Sequence, residues 1–478
     1  MEQSFVTVNQ NIIDMEYAVR GPIPQRAEEL KKQGMTIIPC NIGNPQALGQ
    51  NPITFYRQVL SLVEEPSKID RERKLNRLLK TNSHASEIFN NIDLISDYVI
   101  DLSENIISKI KMGAYSDSAG QLFIREAIAK YIDKRDEVNS GSLNSNPDNI
   151  FLTNGASEAV KYIIDMLIAE QNDGIMIPIP QYPLYSATIK KVGGIQVNYY
   201  LDEENGWIIN KSMLENYLSS AKKAGVNVKA IVVINPGNPT GAIFNEETIM
   251  DIIKFAKDNN IAILADEVYQ ENLYGHKFVS FAKMLGKEDV TLFSIHSISK
   301  GFYGECGHRG GYIEVRNPPK VKRTDKNFMD ILLKLATVNL CPNTVGQLLT
   351  YLMVSPPYEG TGPYRNFIEE KNKILIALQN KAEMIKQAFK QMDSVECFGR
   401  TGSLYLFPRL NKLPEGTTDF DYCMKLLENT GLCTVNGGGF GQKEGTNHLR
   451  IAFLAPMEVL EKVLPIWVDF HNKLLFMN

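Results

Sequence analysis

Cysteine is scarce and scattered in this 478-residue chain: six residues, Cys40, Cys306, Cys341, Cys397, Cys423 and Cys433, with no C-x-x-C pair. That spacing signals neither a disulfide framework nor a zinc site, and the thiols read as reduced in a cytosol-like compartment. No run approaches the ~20 apolar residues of a membrane span, and Met1 to Phe5 opens no basic-then-apolar targeting segment. A soluble, cytoplasmic protein is therefore expected. Excess charge is missing too. Lys+Arg number 51 against 55 Asp+Glu, a net of -4, and no basic stretch could neutralise a row of phosphates. Neither nucleic acid nor a membrane is expected as a partner, and no metal site is signalled. No repeat at a fixed period is present.

What is there has the balance of a globular protein: 44% apolar and 22% charged residues, with 34 Gly and 22 Pro spread along the chain. Length alone suggests about three units at roughly 150 residues each. From about residue 150 short apolar runs alternate with turns and helical periodicity, which is how βαβ units and a mostly parallel sheet read. Ile150-Phe151-Leu152 predicts a strand, Asn154-Gly155 a turn, and Val160, Ile163, Ile164, Leu167 and Ile168 a helix, with Ser157 placed as its N-cap. Ile231 to Ile234 predicts a second strand, followed by the loop Asn235 to Gly241 and a helix carrying Ile249, Ile252, Ile253 and Ala256. Ile261 to Leu264 leads into Asp266, and Thr291 to Ile295 leads into Lys300. A charged helix is expected around Lys68 to Lys80, and another beyond a Pro356-Pro357 hinge.

In an open parallel sheet the ligand crevice lies outside the carboxyl ends of the strands. Ser157, Asn238, Asp266 and Lys300 each follow such an end, so they are expected to converge; singly, each could be a cap or an exposed loop residue. A lysine in a crevice can lose its proton and form a Schiff base, because burial and cationic neighbours lower its pKa. Nearby Arg309 and two serines could hold a phosphate.

Asn235 to Gly241 (NPGNPTG), Asp266 to Gln270 (DEVYQ), Ser297 to Gly311 (SISKGFYGECGHRGG) and Asn447 to Ala452 (NHLRIA) resemble the pyridoxal-phosphate aminotransferases of fold type I. Asn41 to Gln50 (NIGNPQALGQ) and Gly113 to Gly120 (GAYSDSAG) make the likeness closest to the alanine aminotransferases. The resemblance implies an α/β fold with two units: a large pyridoxal-phosphate-binding domain over residues 101–355, and a smaller α+β domain built from 1–100, with an N-terminal arm, and 356–478. It implies a ping-pong transaminase exchanging the amino group of L-alanine with 2-oxoglutarate. Glyoxylate, another small amino acid, or lyase chemistry on the same fold are the alternatives.

Residue by residue, the resemblance implies that Lys300 holds the cofactor as a Schiff base and moves the substrate Cα proton. Asp266 would pair with the pyridine nitrogen; a buried helix-capping aspartate is its other reading. Tyr269, taken to lie on the same side of a helical turn, and Asn238 would donate to the phenolic oxygen, with Asn238 also facing substrate. Tyr182 would stack on the ring or simply pack. Gly155, Ala156, Ser157, Ser297 and Arg309 would cup the phosphate at a helix N-terminus. Tyr115 would reach that phosphate from the opposite subunit, which implies a homodimer with shared sites. Arg450 would bind the substrate carboxylate with a Gly43 amide nearby; a surface salt bridge is its other reading. Gly437 to Gly441 reads as a mobile loop beside Arg450.

Overall fold

The computed structural model describes residues 6–17, 21–82, 84, 87, 94–138 and 144–476; the first five residues, read above for a targeting segment, lie outside them. Its centre is a seven-stranded sheet in the order Ile150–Thr153, Gly311–Arg316, Leu292–Ser297, Ala262–Asp266, Asn227–Ile234, Asp173–Ile179, Ile195–Tyr200. Gly311–Arg316 runs antiparallel to both neighbours and every other pairing is parallel. The runs of Ile, Val, Leu and Ala in these strands suit a sheet covered on both faces.

Alternation sorts the side chains between two cores. Ile231, Val233, Ile263, Ala265 and Leu292 face a layer that includes Leu214, Ile249, Ile252 and Phe281. Ala230, Val232, Ile234, Leu264, Phe293 and Ile313 face the opposite layer with Val160, Ile163, Tyr185 and Leu332. Helices Lys211–Lys223, Glu246–Asn259 and Phe281–Leu285 cover the first face, and Ala156–Leu167, Leu184–Lys191 and Phe328–Thr337 the second.

Two further cores lie beyond the sheet. Phe55, Tyr56 and Val59, from helix Thr54–Glu64, pack with Val99, Ile100, Ile128, Leu348 and Phe367. Ile23, Ala27, Leu30 and Cys40 instead join Leu378, Ile385, Tyr422, Leu426, Leu460 and Trp467 from the far end of the chain. Strand Ile38–Pro39 pairs in parallel with Leu432–Cys433. The Cys40 carbonyl then accepts from the Ala452 amide at 2.8 Å. Segment 38–43 is thus laid beside Leu449–Ala452, the strand that carries Arg450.

Sequence periodicity located the elements with small shifts. The helix expected from Val160 to Ile168 spans Ala156–Leu167, and Ile168 caps it. The charged stretch forms Lys68–Thr81, and the segment after Pro356-Pro357 forms the 26-residue helix Tyr364–Phe389. Three expectations are corrected. Gly155, not Ser157, is the N-cap of Ala156–Leu167, because the chain enters the helix through a left-handed residue (φ 78°) that glycine adopts without strain. No helix follows Asp266: the strand ends in a tight turn, with the Gln270 amide donating to the Glu267 carbonyl at 3.2 Å, so Tyr269 is brought round by a turn and Asp266 caps nothing. Gly437–Phe440 is a short 3-10 turn with Phe440 fully buried, not a mobile loop.

Candidate active site

Residues that follow strand ends meet the segment from the chain's beginning: Lys300 contacts Gly43, and Arg450 contacts both Asn41 and Asn238. Asp266 is the last residue of the strand Ala262–Asp266 and is 6% exposed. One carboxylate oxygen accepts from the Tyr185 hydroxyl at 2.7 Å and the other from the Val268 amide at 3.4 Å. No cation pairs with it among the described residues. Burial raises its pKa against the lowering effect of those two hydrogen bonds and of Lys300. A buried carboxylate without a counter-ion is unfavourable by itself and suits a cationic N–H brought by a ligand.

Lys300 follows the strand Leu292–Ser297 after a two-residue turn. Its ammonium donates to the Gly43 carbonyl at 2.9 Å and lies 5.8 Å from the centroid of the Tyr269 ring. A Cβ at Gly43 would overlap the Tyr405 hydroxyl and come within 3.3 Å of Lys300 Nζ, so glycine is what admits these groups to the same space.

Arg450 is 2% exposed and sandwiched between the rings of Tyr405, at 4.3 Å, and Phe440, at 4.8 Å. Its terminal nitrogens donate to Asn238 Oδ1 at 3.0 Å and to the Asn41 carbonyl at 2.5 Å, and its Nε has no partner. No carboxylate lies within ion-pairing distance among the described residues, so the surface salt bridge is excluded and the guanidinium is held ready for an anion. Lys300 and Arg450 therefore both hang on segment Asn41 to Gly43, through its carbonyls. The Gly43 group seen engaged is that carbonyl rather than the expected amide.

A second anion-binding corner forms at the start of helix Ala156–Leu167, where no side chain caps the end. The Arg309 guanidinium donates to the Asn154 carbonyl and to Ser157 Oγ, both at 3.2 Å, and to the Cys306 carbonyl at 2.8 Å. A Cβ at Gly155 would stand 2.6 Å from that guanidinium, which glycine avoids. Free N–H groups, the helix dipole and an arginine without an acid partner among the described residues suit a phosphate. Ser297, 2% exposed, ends the strand Leu292–Ser297, two places along the sheet from Ile150–Thr153, and its hydroxyl accepts from the Ser299 amide at 3.2 Å.

Of the remaining residues singled out in the sequence, Asn238 (5% exposed) and Tyr269 (3%) are buried in this cluster. Tyr182 hydrogen-bonds the Tyr17 hydroxyl at 2.8 Å and meets that ring edge-on. Tyr115 is not brought into the cluster within one chain; it is 80% exposed. Two residues went unread. Tyr185 lies on helix Leu184–Lys191 and its only signal is its place just after Tyr182-Pro183. Tyr405 lies on a two-residue strand with no motif around it.

The family described as aminotransferase class I and II matches residues 96–464. The chain belongs to this aminotransferase family. A mitochondrial alanine aminotransferase of Saccharomyces cerevisiae is 42% identical over 98% of this chain and 79% of its own. Glutamate–glyoxylate aminotransferase 2 of Arabidopsis thaliana is 38% identical over 98% of this chain and 96% of its own. Among solved structures, an alanine aminotransferase from Pyrococcus furiosus superposes with a TM-score of 0.77 at 24% identity, covering 98% of this chain and all of that one, a likeness of fold. Aminotransferases of this class depend on pyridoxal phosphate, and the chemistry of the residues present fits it: a buried carboxylate with no ion pair among the described residues, a lysine amine at a strand end, and a helix N-terminus with an arginine suited to phosphate. Among the described residues, no helix is long and apolar enough to cross a membrane.

Proposed function

We propose that this aminotransferase exchanges the amino group of L-alanine with 2-oxoglutarate, giving pyruvate and L-glutamate by a ping-pong route. The observation that carries it is the pair of buried or half-buried cations, Lys300 and Arg450, tethered to the same segment and without an ion pair to an acid among the described residues. Relatives named alanine aminotransferases, about 40% identical over nearly all of the chain, supply the substrate.

Arg450 binds the substrate α-carboxylate, and the two rings that clamp its guanidinium keep the fork in one orientation, which orients the Cα–H bond. Lys300 Nζ, held on the same segment as Arg450, would move the Cα proton. Pyridoxal phosphate, when bound, supplies the ring that stabilises the charge left on Cα. Asp266 would pair with the ring nitrogen, Tyr269 and Asn238 would donate to the phenolic oxygen, and Tyr182 would pack against the ring. Gly155, Ala156, Ser157, Ser297 and Arg309 bind the phosphate.

The reading extends to a homodimer in which Tyr115 reaches the partner's phosphate, to units divided near residues 100 and 355, and to a cytoplasmic location. The exposure of Tyr115 supports the first; the core joining residues 23–40 to 378–474 supports a unit built from both chain ends, while residues 53–69 pack with residues 99–132 and 348–354 across the division near 100. Because some relatives are mitochondrial, the location is decided by imaging the tagged full chain.

The purified holoenzyme should form pyruvate and glutamate from L-alanine and 2-oxoglutarate, and Lys300→Ala should lose both that turnover and the visible absorbance of the lysine-bound cofactor. Failure of the wild type to form pyruvate would sink the alanine assignment. Glyoxylate as acceptor is the second reading, favoured by the Arabidopsis relative, and the same assay with glyoxylate decides it.

A further inference from the structure

We propose that Asn272 is a positioning residue for Lys300, holding the backbone from which the lysine side chain works; the inference rests on the reading of Lys300 given above. Asn272 is fully buried. Its Oδ1 accepts from the Gly301 amide at 2.9 Å and its Nδ2 donates to the Gly301 carbonyl at 3.3 Å, so one side-chain amide closes on both polar groups of the residue that follows Lys300. The main chain of Asn272 is committed as well. Its amide donates to the Tyr269 carbonyl at 2.8 Å, and its carbonyl accepts from the Ser403 amide at 3.0 Å. The residue thus joins the turn that carries Tyr269, the backbone beside Lys300, and the segment that leads to Tyr405.

Lys300 lies just past the strand Leu292–Ser297, where the ladder to Gly311–Arg316 has stopped. The next residue, Gly301, has φ 67°, a left-handed conformation that glycine enters freely and leaves as freely. The Lys300 carbonyl is held by a long bond, 3.4 Å, from the Gly304 amide. A glycine has no side chain for its neighbours to grip, so its N–H and C=O are the handles that remain, and Asn272 takes both. Asparagine suits the place because it carries a donor and an acceptor side by side. An ionised aspartate would offer acceptors alone, and the extra methylene of glutamine would overshoot.

The lysine stem turns about each of its bonds, so a small rotation at its base is carried to Nζ, which reaches the Gly43 carbonyl at 2.9 Å. Gly301 is buried, and water cannot take over its polar groups. Loss of the Asn272 side chain would leave them unpaired, a cost the loop relieves by rotating and so by moving Lys300. The carboxylate receptor is spared, because Arg450 hangs on Asn41 and Asn238 and not on Asn272. Asn272 therefore acts on the step that Lys300 performs and not on substrate affinity.

N272L, close in volume and without polar atoms, tests this in the holoenzyme. kcat for L-alanine should fall about 10²-fold, the scale of an ångström-sized misplacement, while binding of propionate, which has the carboxylate but no amine, should be unchanged. The visible absorbance of the lysine-bound cofactor should titrate at a displaced pH and its visible circular dichroism should weaken, because both report where the lysine nitrogen stands. N272S, which leaves room for a water to bridge to Gly301, should lose less, and it carries the test if N272L does not fold. A folded variant that differs from the wild type only in a lower urea midpoint, or a fall in kcat matched by an equal loss of propionate affinity, would overturn the role of Asn272 while leaving the aminotransferase reading intact. Absence of pyruvate with the wild type, or turnover retained in Lys300→Ala, would instead bring down both.

Discussion

Replacing Glu267 with Gln should stabilise the protein at neutral pH and do little in mild acid. Glu267 follows Asp266 and is 1% exposed, with one carboxylate oxygen accepting from the Phe281 amide at 2.8 Å. Burial pushes its pKa up to about 7; Arg135 and the Phe281 amide oppose the rise, and Asp136 and Glu314 add to it. Arg135 is already engaged by Asp136 through contacts of 2.8 and 2.7 Å, so it compensates Glu267 only in part. Because the folded-state pKa lies above the ordinary 4.5, folding is unpenalised below about 4.5, and the penalty grows as pH rises until it is complete above about 7. The interval corresponds to roughly 3 kcal/mol at about 1.4 kcal/mol per pH unit. Glutamine keeps the acceptor for Phe281 and never ionises, so Glu267→Gln should gain about 1–3 kcal/mol at pH 8, the upper figure being reduced because a neutral amide is also unfavourable to bury. Urea unfolding at pH 8 and pH 5 reads the difference. No gain at pH 8, or the same gain at both, would refute the reasoning. Alanine turnover should be retained.

Gly43→Ala places a Cβ against the Tyr405 hydroxyl and Lys300 Nζ; kcat/KM for alanine should fall about 10²-fold, the scale of an ångström-sized misplacement, with the urea midpoint lowered because the overpacking costs about 1–3 kcal/mol. Arg450→Lys replaces the fork with a point charge and should weaken binding of both alanine and 2-oxoglutarate by about 2–3 kcal/mol, read as KM in each half-reaction; equal KM values would remove Arg450 from carboxylate binding. Tyr115→Phe should lower cofactor affinity about tenfold, the worth of one hydrogen bond to a charged group, measured by cofactor dialysis. Unchanged retention would argue against a site shared between chains.

The pattern of residues by itself determined the local pieces. Runs such as Ile231 to Ile234 and Ile261 to Leu264 can only be satisfied by burial on both faces, and the turn residues after them mark where such strands stop. The polar residues beyond those stops, Asn238, Asp266 and Lys300, were legible for the same reason: strand ends open on the crevice of a parallel sheet.

Tertiary structure decided what those residues meet. Gly43 and Arg450 are brought together by the pairing of Ile38–Pro39 with Leu432–Cys433, a long-range contact that no local periodicity records. Tyr405 and Tyr185 gain their places only when distant backbones align, Tyr405 through its ladder with Ala452 and Tyr185 through its hydroxyl on Asp266. Whether an arginine is a surface ion pair or a buried anion receptor is likewise not written in its neighbours along the chain. It depends on the two rings and two carbonyl-type acceptors that enclose Arg450, all but Phe440 at least 45 residues away in sequence. Desolvation is a property of packing, and packing is what sequence distance conceals.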